Sequence, residues 1–382
     1  MVLKVARRGA VPPFIVMDVL RAANAREAAG ESVLHLEVGQ PGTAAPAPVI
    51  AAAQAALASE TLGYTEALGL PRLRARIAAH YDAAYGLEVA PERIVVTTGA
   101  SGGFVLAFLS AFEPGDRVGV AEPSYPAYRN ILAALDLQPV PIRTSLEGRF
   151  QPSVEQLAPL AGNLDGLILA SPSNPTGTML TQDALGELAA FCRQAGIRLL
   201  SDEIYHGIAY GEPAASALAF DAEAIVVNSF SKYFSMTGWR IGWMVAPESL
   251  LRSIECLAQN IFISPPTLSQ HGALAVFDCR KELDAYVAAY GKNRRLLLEE
   301  LPKAGFDKLA PADGAFYLYA DISNFSDDSE HFCRAMLEET GVAATPGIDF
   351  DPVEGNRYVR FSFAGAHATI KEAADRLKNW RP

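Results

Sequence analysis

Short apolar runs alternate with helix-like segments along the first two thirds of the chain, and most of these runs end in a polar or glycine-rich turn. The runs have the length and the β-branched side chains of buried strands. They are Ile94–Thr97, Val118–Ala121, Leu167–Ala170, Ile197–Leu200 and Ala224–Val227. Strands that alternate with helices favour an α/β fold in which helices cover both faces of a mainly parallel sheet.

The turns after these strands are expected to lie together, because parallel strands all end at the same edge of a sheet. Ligands of such sheets bind outside the carboxyl ends of the strands. The turns are Thr98–Gly103, Glu122–Pro126, Ser171–Gly177, Ser201–Tyr205 and Asn228–Lys232. Their convergence predicts a binding site at this edge.

The remaining segments complete the prediction. Helices are expected at Phe14–Ala29, Val49–Ala58, Leu70–Tyr85, Phe104–Phe112 and Gln182–Gln194, and a strand at Val33–Val38. A helical region, Glu248–Leu301, is interrupted at Pro265–Pro266 and precedes strands at Phe316–Ala320 and Tyr358–Phe363. We predict a large domain at 47–285 and a smaller α+β domain at 286–382, to which segment 1–46 contributes.

The stretch from Asn228 to Trp243 carries a candidate nucleophile. Ser229 and Ser231 flank Lys232, and Arg240 follows. An amine next to a buried strand is partly dehydrated, which favours its neutral, nucleophilic form. Hydroxyls and an arginine suit a phosphate. Pyridoxal phosphate requires this combination of amine and phosphate site, although a Ser-x-Ser-Lys run on its own is also typical of a solvated loop.

A second anion site is suggested where Ile94–Thr97 leads through Thr98–Gly103 into a helix. This layout directs backbone N–H groups and a helix N-terminus at a ligand. The turn contains no basic residue, so it is not a P-loop, and it lacks the spacing of a dinucleotide fingerprint.

Charge and composition exclude several classes of function. The net charge of −11 and the pI of about 5.1 argue against nucleic-acid and anionic-membrane partners. The four cysteines and six histidines show no metal-ligand spacing, so no metal site is predicted. The N-terminal residues lack the apolar core of a signal peptide, and no stretch reaches the roughly 20 apolar residues of a membrane span. We therefore expect a cytoplasmic protein with reduced thiols.

Four candidate residues also have ordinary structural interpretations. Asp202 after a strand could be the N-cap of a helix. Arg360 could be an exposed charge on an edge strand, Tyr125 could serve packing alone, and Asn174 could belong to a simple turn. The residues alone do not decide between these interpretations and a site.

Taken in order, the motifs SPSNPTG, SDEIYHGIAY and SKYFSMTGWRIGW resemble those of the class I/II aminotransferases, which are fold-type I pyridoxal-phosphate enzymes. The resemblance extends from Gly39-Gln40-Pro41 to Val359–Ser362. It implies that the large domain binds pyridoxal 5′-phosphate and that an amino group moves from an amino acid to a 2-oxo acid.

The resemblance also implies roles for single residues. Lys232 would form the Schiff base and carry the proton, and Asp202 would pair with the pyridine nitrogen. The other implied cofactor contacts are Asn174 and Tyr205 at the phenolic oxygen, Tyr125 on the ring, and Ala100, Ser101, Ser229, Ser231 and Arg240 at the phosphate. Arg360 would bind the substrate carboxylate, assisted by Asn174 and Gly39.

Two further expectations concern assembly and substrate. Tyr64 stands where family members lend a tyrosine to the neighbouring subunit, which implies a homodimer with shared active sites. Ser101 replaces the lysine of many acid-specific members, and Phe14 and Ile15 would shape an apolar pocket. Both features favour neutral or aromatic amino acids over aspartate.

Two other functions remain possible from the sequence. The same cofactor chemistry serves C–S lyases, which catalyse β-elimination, and decarboxylases. A cofactor-binding regulator is the third class, but the chain before Gly39 is too short for a winged-helix domain and the net charge is unsuited to DNA.

Overall fold

The computed structural model describes residues 3–381, so residues 1, 2 and 382 of the predicted terminal segments lie outside it. The helices are α1 Ile15–Ala28, α2 Ala47–Ser59, α3 Pro71–Tyr85, α4 Gly99–Ala111, α5 Ala127–Ala134, α6 Val154–Leu157, α7 Gln182–Ala195, α8 Glu248–Ile261, α9 Thr267–Val276, α10 Arg280–Lys303, α11 Ser329–Thr340 and α12 His367–Asn379. The strands are β1 Leu34–His35, β2 Ile94–Thr97, β3 Arg117–Glu122, β4 Gln138–Arg143, β5 Gly166–Ala170, β6 Arg198–Asp202, β7 Ile225–Ser229, β8 Gly242–Val245, β9 Tyr317–Asp321, β10 Val342–Ala343, β11 Thr345–Pro346 and β12 Tyr358–Ser362.

Within residues 3–381, seven strands form the main sheet in the order β2-β8-β7-β6-β5-β3-β4. The pairs from β4 to β7 are parallel, and β8 pairs antiparallel with both β7 and β2. β2 therefore runs in the same direction as β3 to β7. The predicted α/β fold with a mainly parallel sheet is confirmed.

Alternate residues of the sheet strands belong to two different hydrophobic cores. On β2, Val95 packs with α4, α5 and α8, whereas Ile94 and Val96 pack with α3, α7 and α9. Because side chains alternate between the two faces of a strand, both faces are covered by helices. This double burial explains why the strands consist of continuous apolar runs.

The largest difference between predicted and observed bounds is at the start of α4. The helix begins at Gly99, five residues before the predicted Phe104. A Cβ on Gly103 would lie 3.2 Å from Val227 Cγ1, so this glycine allows the N-terminal part of α4 to approach the sheet closely. Ala100 and Ser101 therefore lie on a helix and not in a loop.

Two strand predictions also needed correction. The expected strand Val33–Val38 is reduced to β1, whose two residues pair with β10. β8 was not predicted, because Gly242 was interpreted as a break. That glycine lies against the backbone of Gly99 and Ala100, where a Cβ would be 3.0 Å from the Gly99 carbonyl carbon.

The C-terminal part of the chain forms a smaller antiparallel sheet, β11-β12-β9, with its own hydrophobic cluster. Leu34 and Leu36 of the N-terminal segment belong to that cluster. In α10, Leu283 packs in a core of the main sheet, whereas Leu297 packs in the smaller cluster. We propose on this basis that the predicted boundary near residue 286 lies within α10.

No helix of residues 3–381 is long and apolar enough to cross a membrane. The same residues contain no group of three or more His, Cys, Asp or Glu arranged to hold a metal ion. All four cysteines are free, and three of them are buried.

Candidate active site

A cavity of about 180 Å³ lies at the carboxyl ends of β2, β3, β5, β6 and β7. It brings together every residue predicted within one subunit to bind the cofactor or the substrate carboxylate. These are Gly39, Ala100, Ser101, Tyr125, Asn174, Asp202, Tyr205, Ser229, Ser231, Lys232, Arg240 and Arg360. The predicted convergence of the turns is therefore observed, whereas the chemical role of each residue stays a prediction.

Lys232 follows β7, and its side chain extends into the cavity. Its Nζ donates a hydrogen bond to the carbonyl oxygen of Gly39 at 2.6 Å. Burial, together with the nearby positive charges of Arg360 and Arg240, lowers the pKa of Lys232 to about 8, although the negative charge of Asp202 opposes this shift. In the part of the chain described, no carboxylate lies within 4 Å of this amine. Lys232 is thus held closer to its neutral form than an ordinary lysine.

Asp202 is the last residue of β6 and is buried. One carboxylate oxygen accepts the N–H of Ile204 at 3.1 Å, and the other accepts a hydrogen bond from the Tyr128 hydroxyl. Burial raises the pKa of Asp202 to about 6, and both hydrogen bonds oppose this rise. The helix N-cap interpretation is wrong, because no helix follows β6 directly.

Arg360 lies on β12, the central strand of the smaller sheet, and is only 2% exposed. Its Nη1 donates to Asn174 Oδ1 at 2.8 Å, while Nη2 donates to the Glu37 carbonyl and to the Thr345 hydroxyl. Its Nε has no hydrogen-bond partner among residues 3–381. The interpretation of Arg360 as an exposed edge charge is therefore wrong.

The ring of Tyr317 lies 4.4 Å from Arg360 Cζ, and its hydroxyl is 2.6 Å from the Tyr205 hydroxyl. A Cβ on Gly39 would lie 2.0 Å from the Tyr317 oxygen, so residue 39 cannot carry a side chain in this arrangement. Tyr317 thus connects Arg360, Tyr205 and the Gly39 turn. Its position was not predicted, although it lies within a predicted strand.

Another part of the cavity lining is rich in hydrogen-bond donors. Ala100 and Ser101 lie in the first turn of α4, where the backbone N–H groups have no partner within the helix. The Ser229 hydroxyl donates to the Ser231 hydroxyl at 2.9 Å. The Arg240 guanidinium borders Gly99, since a Cβ there would lie 2.5 Å from Nη2. Arg240 itself has φ +51°, a strained conformation for a residue with a side chain.

An apolar wall comes from the N-terminal segment and α5. Phe14, Val16, Met17 and Ile131 line the cavity, and the ring of Phe14 meets that of Tyr125 edge to face at 5.7 Å. Ile15 does not line the cavity, which corrects the prediction that it shapes the pocket. The cavity is lined instead by Phe14, just before Ile15, and by the two residues that follow it, Val16 and Met17.

Tyr64 lies apart from the site of its own chain. It is in the loop between α2 and α3 and is 82% exposed. Tyr128, in contrast, belongs to the site but was not predicted. Its position three residues after Tyr125, at helical spacing, is a signal that could have identified it.

The cavity is lined by positively charged side chains, although the protein as a whole is acidic. Lys232, Arg240 and Arg360 all line it, and among residues 3–381 none of the three forms a salt bridge. The whole chain carries a net charge of −11. Cations without carboxylate partners in an acidic protein indicate a site for anionic ligands.

The comparisons with known proteins agree with this geometry. The model of the family described as aminotransferase class I and II matches residues 31–377. A valine–pyruvate aminotransferase from Mycobacterium tuberculosis is 49% identical over 383 residues, and the alignment covers 99% of each chain.

Two solved structures have the same fold. An aminotransferase from Mycobacterium tuberculosis is 49% identical, with a TM-score of 0.97 and 99% of each chain covered. The aspartate aminotransferase of Thermus thermophilus, solved with maleate, is 30% identical, with a TM-score of 0.93 and 99% of this chain and 100% of that chain covered.

Proposed function

Since the chain belongs to the class I and II aminotransferases, we propose that it transfers the amino group of a neutral aliphatic amino acid, such as valine, to a 2-oxo acid such as pyruvate. Transamination between amino acids and 2-oxo acids with pyridoxal phosphate is the activity of this family. The proposal adds the substrate class and the role of each residue. One observation carries it: three cations that form no salt bridge within residues 3–381 line the same cavity as an apolar wall.

The donor set of the cavity fits pyridoxal phosphate. The N-terminus of α4, the hydroxyls of Ser229 and Ser231, and Arg240 form a cluster of donors without a carboxylate, as a phosphate requires. Asp202 offers a buried carboxylate for a protonated ring nitrogen. Lys232 offers an amine without an acidic partner. We propose that these residues hold the cofactor, with Tyr125 against its ring and Asn174 and Tyr205 at its phenolic oxygen.

When bound, pyridoxal phosphate supplies an aldehyde that condenses with amines and a ring that withdraws electrons from the amino acid's Cα. Lys232 is proposed to take the proton from Cα at its Nζ and to return a proton during transfer to the 2-oxo acid. A lysine whose pKa is lowered to about 8 suits this role, because a useful general base has a pKa near the working pH.

Asp202 is proposed to keep the ring nitrogen protonated. This requires the ionised carboxylate. The hydrogen bonds from Tyr128 and Ile204 favour ionisation, although burial opposes it. At neutral pH, above its pKa of about 6, Asp202 is predominantly charged.

Arg360 is proposed to bind the substrate's α-carboxylate. A guanidinium has five N–H donors, and three hydrogen bonds of Arg360 are made within the protein. Arg360 lines the cavity, and two of its donors, one on Nη1 and one on Nε, have no partner among residues 3–381. Because Asn174 and Thr345 fix the guanidinium before substrate arrives, little ordering is required on binding.

The proposal of a neutral substrate side chain is based on the lining residues that have no role at the cofactor or the α-carboxylate. With Lys232, Arg240 and Arg360 assigned, the described lining contains no further cation for a distal carboxylate. Phe14, Val16 and Met17 offer apolar contact instead. The family resemblance also implies that Ser101 stands where many acid-specific members carry a lysine. These features support a neutral substrate, as in the relative named for valine and pyruvate. They do not support an acidic substrate, as in the Thermus relative named for aspartate.

A substrate panel tests this proposal. Purified holoenzyme is mixed with valine, alanine, phenylalanine or aspartate, and formation of the pyridoxamine cofactor is followed by absorbance. We expect kcat/KM for valine to exceed that for aspartate by at least about tenfold, since an apolar wall leaves a distal carboxylate without a partner. Aspartate as the preferred donor would contradict the proposed substrate class.

A homodimer with shared sites is proposed from the surface around Tyr64. The Thr65 N–H donates to the Ser264 hydroxyl, which joins the Tyr64 loop to residues near Ile261 and Ile263. Both isoleucines and Tyr64 are exposed. Ile263 has φ +66°, a rare and strained conformation for a β-branched residue. An exposed apolar patch with such strain supports contact with a second copy, which would receive Tyr64 at its phosphate end.

A further inference from the structure

The apolar wall of the cavity is built on the first turn of α1. Phe14 immediately precedes this helix, and Val16 and Met17 lie in its first turn. The Phe14 side chain cannot cap the helix, and no side chain of the helix's own N-terminal residues does so. An uncapped N-terminus leaves backbone N–H groups unsatisfied and tends to fray.

Asp349 satisfies these groups from a distant part of the chain. Its Oδ1 accepts the N–H of Ile15 at 3.1 Å, and its Oδ2 accepts the N–H of Val16 at 3.2 Å. The residue is 1% exposed, and in the described chain no cation lies within salt-bridge distance of its carboxylate. The helix N-terminus is therefore the direct partner of this buried charge.

The turn that carries Asp349 is itself fixed to the active site. The Phe350 carbonyl accepts the N–H of Ser124 at 3.1 Å, and Arg129 donates to the Asp349 carbonyl. The ring of Phe350 lies 4.7 Å from Arg360 Cζ. Asp349 thus connects two parts of the site. One is the apolar wall proposed to face the substrate side chain, and the other is the turn that packs against Arg360, which is proposed to bind the substrate carboxylate.

We infer that Asp349 is a positioning residue for substrate selection, which holds Phe14, Val16 and Met17 at the distance that an aliphatic side chain requires. This inference rests on the proposed function. Loss of the carboxylate leaves Lys232 and Arg360 in place but releases the wall. The change therefore affects substrates according to the size of their side chains.

The test compares valine with alanine, which have the same α-amino and α-carboxylate groups and differ only in the size of the side chain. In Asp349→Ala we expect kcat/KM for valine to fall about tenfold more than that for alanine, mainly through KM, because one or two methyl contacts contribute about tenfold each. Asp349→Asn retains one acceptor oxygen. The ratio of its kcat/KM for valine to that for alanine should therefore lie between the ratios of the wild type and Asp349→Ala.

Asp328→Ala is the matched control. Asp328 also caps a helix, α11, by accepting the N–H of His331, and it does not line the cavity. In this variant, the ratio of kcat/KM for valine to kcat/KM for alanine should stay within about twofold of the wild-type ratio, because a surface cap contributes to stability alone. If both variants changed the ratio equally, or if Asp349→Ala and Asp349→Asn left it unchanged, the positioning role would be overturned.

Hydrogen exchange gives a readout that does not depend on activity. In Asp349→Asn, amides of residues 15–20 should exchange about tenfold faster than in the wild type and in Asp328→Ala. Unchanged exchange there would overturn the inference even if Asp349→Ala failed to fold. A wild-type enzyme that transaminated no neutral amino acid would instead refute the proposed function, and the exchange result would still decide whether Asp349 holds α1.

Discussion

The Tyr128 hydroxyl donates a hydrogen bond to Asp202, the carboxylate proposed to face the cofactor's ring nitrogen. Tyr128 lies on α5 and Asp202 at the end of β6, so the contact joins two elements on the same side of the cavity. Both residues are buried. Because burial favours the neutral carboxyl, this donor is one of the two that keep Asp202 ionised.

Tyr128→Phe tests that relationship through pH. Removing the donor should raise the pKa of Asp202, because the hydrogen bond from Tyr128 favours the ionised carboxylate. Because the ionised form is required, activity is lost as pH falls through this pKa, and the loss should begin at higher pH in the variant. A charge-assisted bond of about 1.5–3 kcal/mol corresponds to a shift of about one to two pH units. The acidic limb of the kcat profile measures the shift.

Tyr286→Phe provides the control for the tyrosine substitution. Its hydroxyl also donates to a carboxylate, that of Glu282, but at the surface of α10. This variant should reproduce the wild-type profile. An acidic limb that did not move in Tyr128→Phe would show that Asp202 is not the group whose ionisation limits activity.

Asp202→Asn should separate stability from catalysis. The amide oxygen can still accept the Ile204 N–H, and a neutral group removes the cost of burying a charge. We expect the Tm to be unchanged or higher, while kcat falls on the order of 10²-fold or more because the ring nitrogen loses its counter-charge. Asp221→Asn, which changes another buried aspartate that bonds a backbone N–H, should keep normal kcat. Near-normal turnover of Asp202→Asn would exclude the assigned role.

The lowered pKa of Lys232 predicts how the apoenzyme takes up its cofactor. Below about pH 8 the amine is protonated and cannot attack an aldehyde, so the rate of holoenzyme formation should rise about tenfold per pH unit and level off above pH 8. Stopped-flow absorbance after mixing apoenzyme with pyridoxal phosphate measures this rate. A rise that continued to pH 10 would indicate a lysine with an ordinary pKa.

Arg360→Lys should weaken every substrate alike. A lysine cannot reproduce the planar set of donors, so kcat/KM should fall on the order of 10²-fold if roughly 3 kcal/mol of hydrogen bonding is lost. The ratio of valine to alanine should stay constant, because both carry the same α-carboxylate. Arg294→Lys, which alters an arginine that binds the carbonyls of Pro311 and Ala312, should keep kcat/KM. A change confined to one substrate would place Arg360 at the side chain instead.

Mixed subunits test the shared sites. Tyr64→Phe and Arg240→Ala chains should each be impaired when alone. After the two are unfolded and refolded together, half of the dimers are mixed and each mixed dimer has one intact site, so about a quarter of wild-type activity should return. Recovery no greater than the sum of the separate variants, or full activity of a monomer, would contradict the dimer.

Much of the site was predictable because its residues lie at the ends of parallel strands, which can be recognised in the sequence. Asn174 and Lys232 come after strands and Asp202 ends one, and parallel strands bring their carboxyl ends together. Once these strands were assigned, the cavity followed from topology. The start of α4 was missed, because glycines usually end helices, and here they permit close packing against β7.

The contacts that depend on the smaller domain were not predictable. Arg360 resembles an edge charge until β12 is placed between β9 and β11, and Asp349 gives no local signal for a bond with Ile15 more than 300 residues away. Such contacts depend on how separate elements pack, which periodicity along one segment does not record. Tyr317 was missed for the same reason.

Borohydride reduction of the holoenzyme tests the central claim most directly. Reduction fixes the cofactor to the amine that holds it, and peptide mass spectrometry then identifies the modified residue. We predict one pyridoxyl group per chain on Lys232, and loss of this label when valine is added before reduction, because the substrate amine displaces the lysine. A label on any other lysine, or no label on Lys232, would contradict the account.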